Sequence, residues 1–578
     1  MSKNVGSFPP FDSHAKTLGG ACGDDALVVG AVRFSDAALA KCLLEHGAAA
    51  AWRMALAQGP ASAAAQTKGE FAIALREPSG RAFLAVDRFA TRTLCYRVVD
   101  GRLLAGVRAE ELASTRDASN IDPQALFDYL YFHVIPSPRT IFKDVFRLPA
   151  GHYALFENGK LTVTPYWVPE FKIQPDLSFE TAKGELRQLL RDAVASELDG
   201  SKPACFLSGG TDSSTIAGMI GVASGQPAAT YSIGFEAEGY DEMEYARLAA
   251  RHFKTEHHEY YVTPDDLVAR IPAVARHFDQ PFGNSSALPT YFCAKRARDD
   301  GVTRLLAGDG GDELFGGNTR YATQKVFGWY EHIPGVLREG LLEPIANSGL
   351  LDPIPLLKKG ASYVRQARVP MPDRMHTYNL LDRIGQNTVL TAAFLAQVDA
   401  QGPKQQQRAV WQASEGAGTI DRMLAYDWRY TLAENDLVKV RGGTELAGVS
   451  VGYPLLDQAL VDFSARLPAS FKLKGQQLRW FFKEALRGFL PDEILTKKKH
   501  GFGLPFGVWA MRHAALKALA RDSVRGLGER GIVRRDFTDR LVDELLPQHP
   551  GYYGEMVWIL MMLEQWFRHY APDYRLAD

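Results

Sequence analysis

The chain has 578 residues, 46% of them hydrophobic and 23% charged, with 66 Lys plus Arg against 67 Asp plus Glu and a formal net charge of −1. That composition excludes a disordered or fibrous chain. The even charge balance gives no electrostatic case for a nucleic-acid partner.

The five Cys stand at 22, 42, 95, 205 and 293. None forms a C-x-x-C pair, and an odd, scattered set argues against a zinc cage or a disulfide framework. It suits a reducing, cytoplasmic setting. The N-terminus shows no apolar core of a secretory signal. No run approaches the ~18 apolar residues of a membrane span, so no membrane association is expected.

In chain order, residues 27–160 read as β-rich. Leu27 to Phe34, Phe71 to Leu75, Ala82 to Val86 and Leu103 to Val107 are short apolar runs separated by Gly, Asp and Pro. The Ala- and Leu-rich stretch 37–65 and residues 123–133 read as helix. His152 to Glu157 and Leu161 to Pro165 flank Asn158-Gly159, a strong hairpin signal. After Trp167 the pattern changes. A helix over 180–198 precedes a short strand, Ala204 to Leu207, and a second, Ala228 to Ile233. Helix and strand then alternate up to Leu305 and Leu306, which implies a parallel sheet. From about 323 to 570 the periodicity is helical, with Met556 to Leu563 read as a buried helix. Pro165, Pro169, Gln174 and Pro175 mark a linker. The expected domains are 1–166 and 178–578.

Chemistry concentrates in two loops. Phe206-Leu-Ser208-Gly209-Gly210-Thr-Asp212-Ser213-Ser214 reads as strand, loop and helix. Its glycines let backbone approach an anion, and Ser213 and Ser214 are expected to open a helix whose N–H groups favour phosphate. Asp212 would repel bare phosphate, so a divalent cation is implied between them. No Walker pattern is present. The second loop is Leu305-Leu-Ala-Gly308-Asp309-Gly-Gly-Asp312-Glu-Leu-Phe-Gly-Gly317. In an open parallel sheet both loops lie at the ligand-binding end of the strands. Asp212 and Asp312 are then expected to share one Mg²⁺, leaving Asp309 near the reacting carbon.

These two segments resemble the synthetase half of asparagine synthetase B and its relatives. The likeness continues in Tyr231-Ser-Ile-Gly-Phe, Asp279-Gln-Pro-Phe, Ser285-Ser-Ala-Leu-Pro-Thr, Pro454-Leu-Leu-Asp457 and Lys499-His-Gly-Phe-Gly-Leu-Pro505. The resemblance implies a doubly wound α/β domain of the adenine nucleotide alpha hydrolase type with a helical C-terminal part. It also implies ATP and Mg²⁺ as cofactors, and activation of a carboxylate as an acyl-adenylate that an amine attacks. By the same resemblance Ser208 to Ser214 would cradle pyrophosphate, and backbone near Ile233 and Gly308 would take the adenine. Asp309 would receive the amine's proton. The N-terminal half resembles in part a class II glutaminase, through Gly69-Glu-Phe-Ala, Asp87-Arg-Phe and Phe142-Lys-Asp-Val-Phe-Arg-Leu-Pro-Ala-Gly-His. That implies an Ntn-hydrolase-like, β-rich sandwich.

The pattern departs from the family in both halves. A glutaminase of this class uses an N-terminal Cys. Residue 2 is Ser2, and neither Arg-Gly-Pro-Asp nor Asn-Gly-Glu occurs. Loss of one oxyanion donor alone costs about 10²–10³ in rate, so the domain is expected to be degenerate. Cys22-Gly23 mimics the motif's start but runs into Asp24-Asp25. In the second half, Lys439-Val-Arg441-Gly442 and Ser450-Val-Gly452-Tyr453-Pro454 replace more charged family motifs, and Arg479 stands where a Lys is usual. Lys439 and Arg479 join Asp309 as the expected catalytic set. Ser450 and Gly452 are expected in the acceptor pocket, making it larger and less charged. Glu445 reads as a solvated acid or a replacement carboxylate. Lys497-Lys-Lys499-His reads as a charged run or as a lid bringing Lys499 to the phosphates. Trp480-Phe-Phe482, Trp558 and Trp566 read as core.

The leading expectation is an ATP-dependent amide ligase without glutaminase, acting on a small-molecule, peptide or sugar-acid carboxylate and an amine. The peptide and β-amino acid ligases of the family, lasso peptide cyclases and β-lactam synthetases, set the precedent. Asp309, where β-lactam synthetases carry Tyr, counts against that branch. Alternatives are an ordinary asparagine synthetase using aspartate with ammonia or glutamine, and a nucleotide-binding scaffold. A homodimer is left open.

Overall fold

A computed structural model describes residues 25–114, 118–237, 239–348, 355–497 and 503–576. Ser2, Cys22 and the Lys498–Phe502 stretch with Lys499 lie outside the described residues.

The N-terminal half alternates faces with the period of two that strands impose. Its five-stranded antiparallel sheet runs Ala26–Val29, Ala72–Arg76, Ala82–Val86, His152–Glu157, Lys160–Pro165. Ile73, Leu75, Phe83 and Ala85 face helices carrying Leu39, Trp52 and Ala55. Ala72, Ala74, Leu84 and Val86 face a second sheet through Leu94, Tyr96, Leu103 and Ala105. This second sheet orders Arg102–Gly106, Cys95–Val99 and Phe146–Arg147. The expected hairpin is present, with Asn158 at φ 52° and Gly159 at φ 76°. Two runs are broken where one element was read. Gly30, at φ 100°, splits Leu27–Phe34 into strands Ala26–Val29 and Val32–Phe34. The 37–65 stretch forms three helices, Ala37–His46, Ala48–Leu56 and Pro60–Gln66, separated at Gly47 and Gly59.

The C-terminal half is built on a five-stranded parallel sheet. Its order is Glu256–Val262, Ala229–Phe235, Ala204–Phe206, Arg304–Leu306, Ser450–Gly452. The chain starts in the middle, moves outward to one edge, then returns beside its first strand and moves to the other edge. Parallel strands need helical crossovers, so both faces are covered. Ala204, Ala229, Tyr231 and Leu305 pack with helices Pro264–His277 and Ala287–Asp299. Cys205, Leu207, Leu306 and Val451 pack with Phe179–Glu197 and Thr211–Ser224. The switch point falls between Ala204–Phe206 and Arg304–Leu306, where a crevice opens at the strands' carboxyl ends. No helix among the described residues is long and apolar enough to cross a membrane.

The halves are tied by buried ion pairs. Arg92 reaches Glu70 at 2.9 Å and, across the seam, Glu445 at 3.1 Å. Arg304 bridges Glu70 at 3.2 Å and also pairs with Glu197.

Candidate active site

The first strand delivers Leu207–Gly210 into the crevice, and a helix starts at Thr211 with Gly210 as its N-cap and no side-chain cap. Its first N–H groups are therefore available to an anion. Ser208 N–H donates to Ser213 Oγ at 3.1 Å, and the two hydroxyls stand 3.1 Å apart. These bonds hold the loop against the first helical turn. Ser208, Gly210, Asp212 and Ser213 line a cavity of about 810 Å³.

Two expected members of this cradle are elsewhere. The helix begins two residues earlier than expected, so Ser214 is rotated into the core and fully buried, its hydroxyl without a hydrogen-bond partner. Gly209 adopts φ +71°, and a Cβ there would stand 2.5 Å from the Tyr245 carbonyl carbon. Its lack of a side chain serves the packing of helix Met243–Phe253, and it does not line the cavity.

The second loop abuts the first. A Cβ on Gly308 would stand 2.9 Å from Ser213 N, and one on Gly311 would stand 2.5 Å from the Asp212 carboxyl carbon. Glycine at both positions lets the two acidic loops touch. Asp212 and Asp312 then converge on a single guanidinium. Arg479 Nη1 lies 3.0 and 2.9 Å from the two Asp212 oxygens and 2.9 Å from Asp312 Oδ1. Burial opposes the Arg479 charge, but the two carboxylates outweigh it and raise its pKa. Arg479 was expected in the catalytic set; in the structure its cationic head neutralises the acidic pair.

This geometry suits a small divalent cation. The two carboxylates already share one positive group, and Mg²⁺ takes one or two carboxylates plus phosphate oxygens and water. Among the described residues no cluster of three or more His, Cys, Asp or Glu forms a fuller metal cage.

Asp309 lies deeper. Lys439, on helix Leu437–Ala447, approaches its Oδ1 at 3.7 Å and holds Asp436 at 2.9 Å. Burial raises the Asp309 carboxyl to about 6 against the pull of Lys439. Burial opposes the charge on Lys439, but Asp436 and Asp309 raise its pKa. Glu313 is pushed well above the carboxylate range by burial and by Asp312. Ile233, Gly308, Asp309, Asp312, Lys439 and Arg479 all line the same cavity.

Three expectations about the acceptor pocket are corrected. Ser450 and Gly452 form the sheet's edge strand, and neither lines the cavity. A Cβ on Gly452 would stand 2.5 Å from Glu197 Oε2 and 2.7 Å from Arg304 Nη2, so glycine there accommodates the buried ion pairs at the seam. Glu445 is neither a solvated acid nor a substrate carboxylate, since it pairs with Arg92. Trp558 was read as core; it is buried, yet it forms part of the cavity wall. Trp480, Phe481 and Phe482 do not line it, and Phe481 and Phe482 are core as read.

Other lining residues were missed. Asp436 stood in plain view three residues before Lys439, a spacing that pairs charges on one helix face. Lys497, read as the start of a charged run or lid, lines the cavity, pairs with Glu242 at 3.0 Å and stands 4.2 Å over the Tyr245 ring. His133, from the N-terminal half, also lines the cavity, and no local pattern marks it.

Comparison with known proteins agrees with this architecture. The family model described as asparagine synthase matches residues 185–568, and that of a glutamine amidotransferase domain matches residues 53–167. The chain is similar to the glutamine-hydrolyzing asparagine synthetase 1 of Bacillus subtilis (strain 168), at 25% identity over 88% of this chain and 80% of that protein. A putative glutamine-hydrolyzing asparagine synthetase of Mycobacterium tuberculosis (strain ATCC 25618 / H37Rv) is 27% identical over 68% of this chain, which spans 59% of that protein's length. Amidase chyE of Penicillium rubens is 24% identical over 80% of this chain and 74% of its own length. With two thirds of its residues matched by one family model, and with that family's two strand-tip loops closing on one cavity, the chain belongs to the asparagine synthase family.

Proposed function

We propose that this protein is an ATP-dependent amide ligase. It converts a carboxylate and ATP to an acyl-adenylate and pyrophosphate, and an amine then displaces AMP. The observation that carries the reading is the meeting of Asp212, Asp312 and Arg479 above a glycine-rich loop, with Asp309 and Lys439 in the same cavity.

Ser208, Gly210 and Ser213 bind the β- and γ-phosphates, and Ile233 and Gly308 border the nucleoside. Asp212 and Asp312 are the residues that would hold Mg²⁺, which neutralises charge on a leaving pyrophosphate. Asp309 takes the proton of the attacking amine on its carboxylate. A pKa of about 6 suits that task, because the group is ionised at neutral pH yet still a competent base. Lys439 keeps Asp309 oriented and offsets its charge.

The reading includes no working glutaminase. Neither an Arg-Gly-Pro-Asp nor an Asn-Gly-Glu segment occurs in the sequence. Of the described thiols, Cys95, Cys205 and Cys293 are buried, and burial holds the Cys95 thiol well above its ordinary pKa. The acceptor is a specialised carboxylate larger than aspartate. Support for that comes from the size and partly apolar wall of the cavity, with Leu504, Phe506 and Trp558, rather than from Ser450 and Gly452.

Pyrophosphate release from ATP with a panel of peptide, sugar-acid and amino-acid carboxylates, each with ammonium or an organic amine, tests the reading. Release by wild type and its loss in Asp212→Ala is expected. A wild type inert with every acid would favour a nucleotide-binding scaffold. The second reading, an ordinary asparagine synthetase, is favoured by the names of the bacterial relatives. Release stimulated best by aspartate would establish it.

A further inference from the structure

The cavity extends beyond the nucleotide loops to a wall made by both halves of the chain. Helix Pro123–Phe132 of the N-terminal half docks on the C-terminal helix Pro550–Tyr570 through the buried Tyr129, whose hydroxyl donates to Ile559 O at 2.9 Å. One turn further along each helix, in opposite directions, stand His133 and Glu555. His133 Nδ1 lies 3.5 Å from Glu555 Oε1, and both residues line the cavity. His133 is held at φ 65° as the helix cap, and Gly283 N–H donates to its carbonyl at 2.8 Å. A Cβ on Gly283 would stand 2.9 Å from that carbonyl oxygen. The position of His133 is thus set by three elements.

The charges in the cavity are unevenly matched. Each basic residue of its lining already has acidic partners: Arg479 with Asp212 and Asp312, Lys439 with Asp436 and Asp309, Lys497 with Glu242. Among the described residues Glu555 faces only His133, and its side chain is 55% exposed. Burial lowers the His133 pKa to about 4, so the imidazole is neutral at pH 7 and offers no counter-charge. Burial also raises the Glu555 carboxyl. Beside it, Trp558 is 2% exposed with its indole N–H unpartnered, and Phe506 packs edge-on against it at 5.1 Å. An accessible carboxylate with no cation against it among the described residues, next to an aromatic wall, is complementary to a positive group on an apolar stem.

We propose that Glu555, backed by His133 and walled by Trp558 and Phe506, is the subsite for the ammonium group of an organic substrate. The inference rests on the ligase reading, in which one reactant is an amine. It gives the N-terminal half a place in substrate recognition, through His133.

The test is isothermal titration of the full-length protein, saturated with AMP, with benzylammonium and with its neutral counterpart benzyl alcohol. Wild type is expected to prefer the cation by about tenfold, the size of one well-placed charge contact. Glu555→Gln is expected to reduce the preference to about twofold or less while AMP affinity stays within about twofold, and Glu555→Asp to keep part of the preference. A wild type that binds AMP but binds both probes equally overturns the subsite alone, as does a Glu555→Gln protein that keeps the preference. A wild type that does not bind AMP overturns the ligase reading and the subsite with it. Benzylammonium that competes with the acid driving pyrophosphate release marks the acceptor as bearer of the ammonium. Benzylammonium that binds alongside that acid marks the nucleophile. Either result supports the subsite.

Discussion

Replacing Asp309 with Asn separates the cost of the site from its use. Burial raises this carboxyl from 3.8 to about 6, even with Lys439 at 3.7 Å. The folded protein therefore holds the proton more tightly than the unfolded chain, and ionisation of Asp309 counts against folding. The cost is absent below the unfolded pKa, grows between about pH 4 and 6, and is complete above. A shift of roughly two units at 1.36 kcal/mol each amounts to about 3 kcal/mol. Asn matches the protonated acid in shape and carries no charge, and Lys439 keeps Asp436. Asp309→Asn is thus expected to be more stable than wild type by up to about 3 kcal/mol at pH 8, with the difference vanishing toward pH 4. Urea midpoints of both proteins across that range are the assay. The same variant should lose amide formation by about 10²–10⁴, the usual worth of a positioned base, and the wild-type rate should fall as pH drops through about 6. A variant no more stable at pH 8 than at pH 4 relative to wild type refutes the assignment of a buried base whose ionisation opposes folding.

Three further outcomes follow from the geometry. Arg479→Gln leaves Asp212 and Asp312 facing each other without their shared cation, so the variant should lose about 3 kcal/mol, the cost of breaking a buried pair. Millimolar Mg²⁺ should restore its melting temperature more than it raises that of wild type; equal responses would remove the carboxylate pair from consideration as a metal site. Arg304→Ala should cost about 3 kcal/mol by stripping Glu70 and Glu197 of a common partner, without altering nucleotide affinity in the folded fraction. Gly209→Ala should destabilise by more than about 1 kcal/mol, through positive φ and overlap with the Tyr245 backbone. A neutral effect on the denaturation midpoint would contradict the packing role given to that glycine.

What could be read from residues alone was what short-range pattern encodes. Two apolar triplets running into glycine and aspartate, at Phe206 and Leu306, mark strand tips wherever the strands end up. The alternation around them puts the tips in one crevice. The sheet faces of the N-terminal half were equally legible, because Ile73 and Ala74 must point opposite ways. Pairs distant in sequence were not legible. Asp212 and Arg479 are 267 positions apart, and Arg479 gives no local sign that it will turn toward two acids rather than a phosphate. His133 ends a helix in one half and reaches a cavity in the other. Ser450 and Gly452 were misplaced because a family motif was taken to mark a pocket. Gly452 faces the seam, where Glu197 and Arg304 leave no room for a side chain, and the Ser450 hydroxyl donates to Thr303 O at 3.1 Å. Gly30, Gly47 and Gly59 broke elements that composition alone reads as continuous, each by adopting positive φ.

The central claim is that the loops carrying Asp212 and Asp312 hold a metal-complexed triphosphate between them. Calorimetric titration of ATP into wild type and into the Asp212→Asn, Asp312→Asn double variant, with and without Mg²⁺, measures this directly. Wild type is expected to bind ATP at least about tenfold more tightly with Mg²⁺, a gain of about 1.4 kcal/mol or more, and the double variant to lose that gain. ATP affinity in wild type that is indifferent to Mg²⁺, or a Mg²⁺ effect that survives in the double variant, would contradict the account.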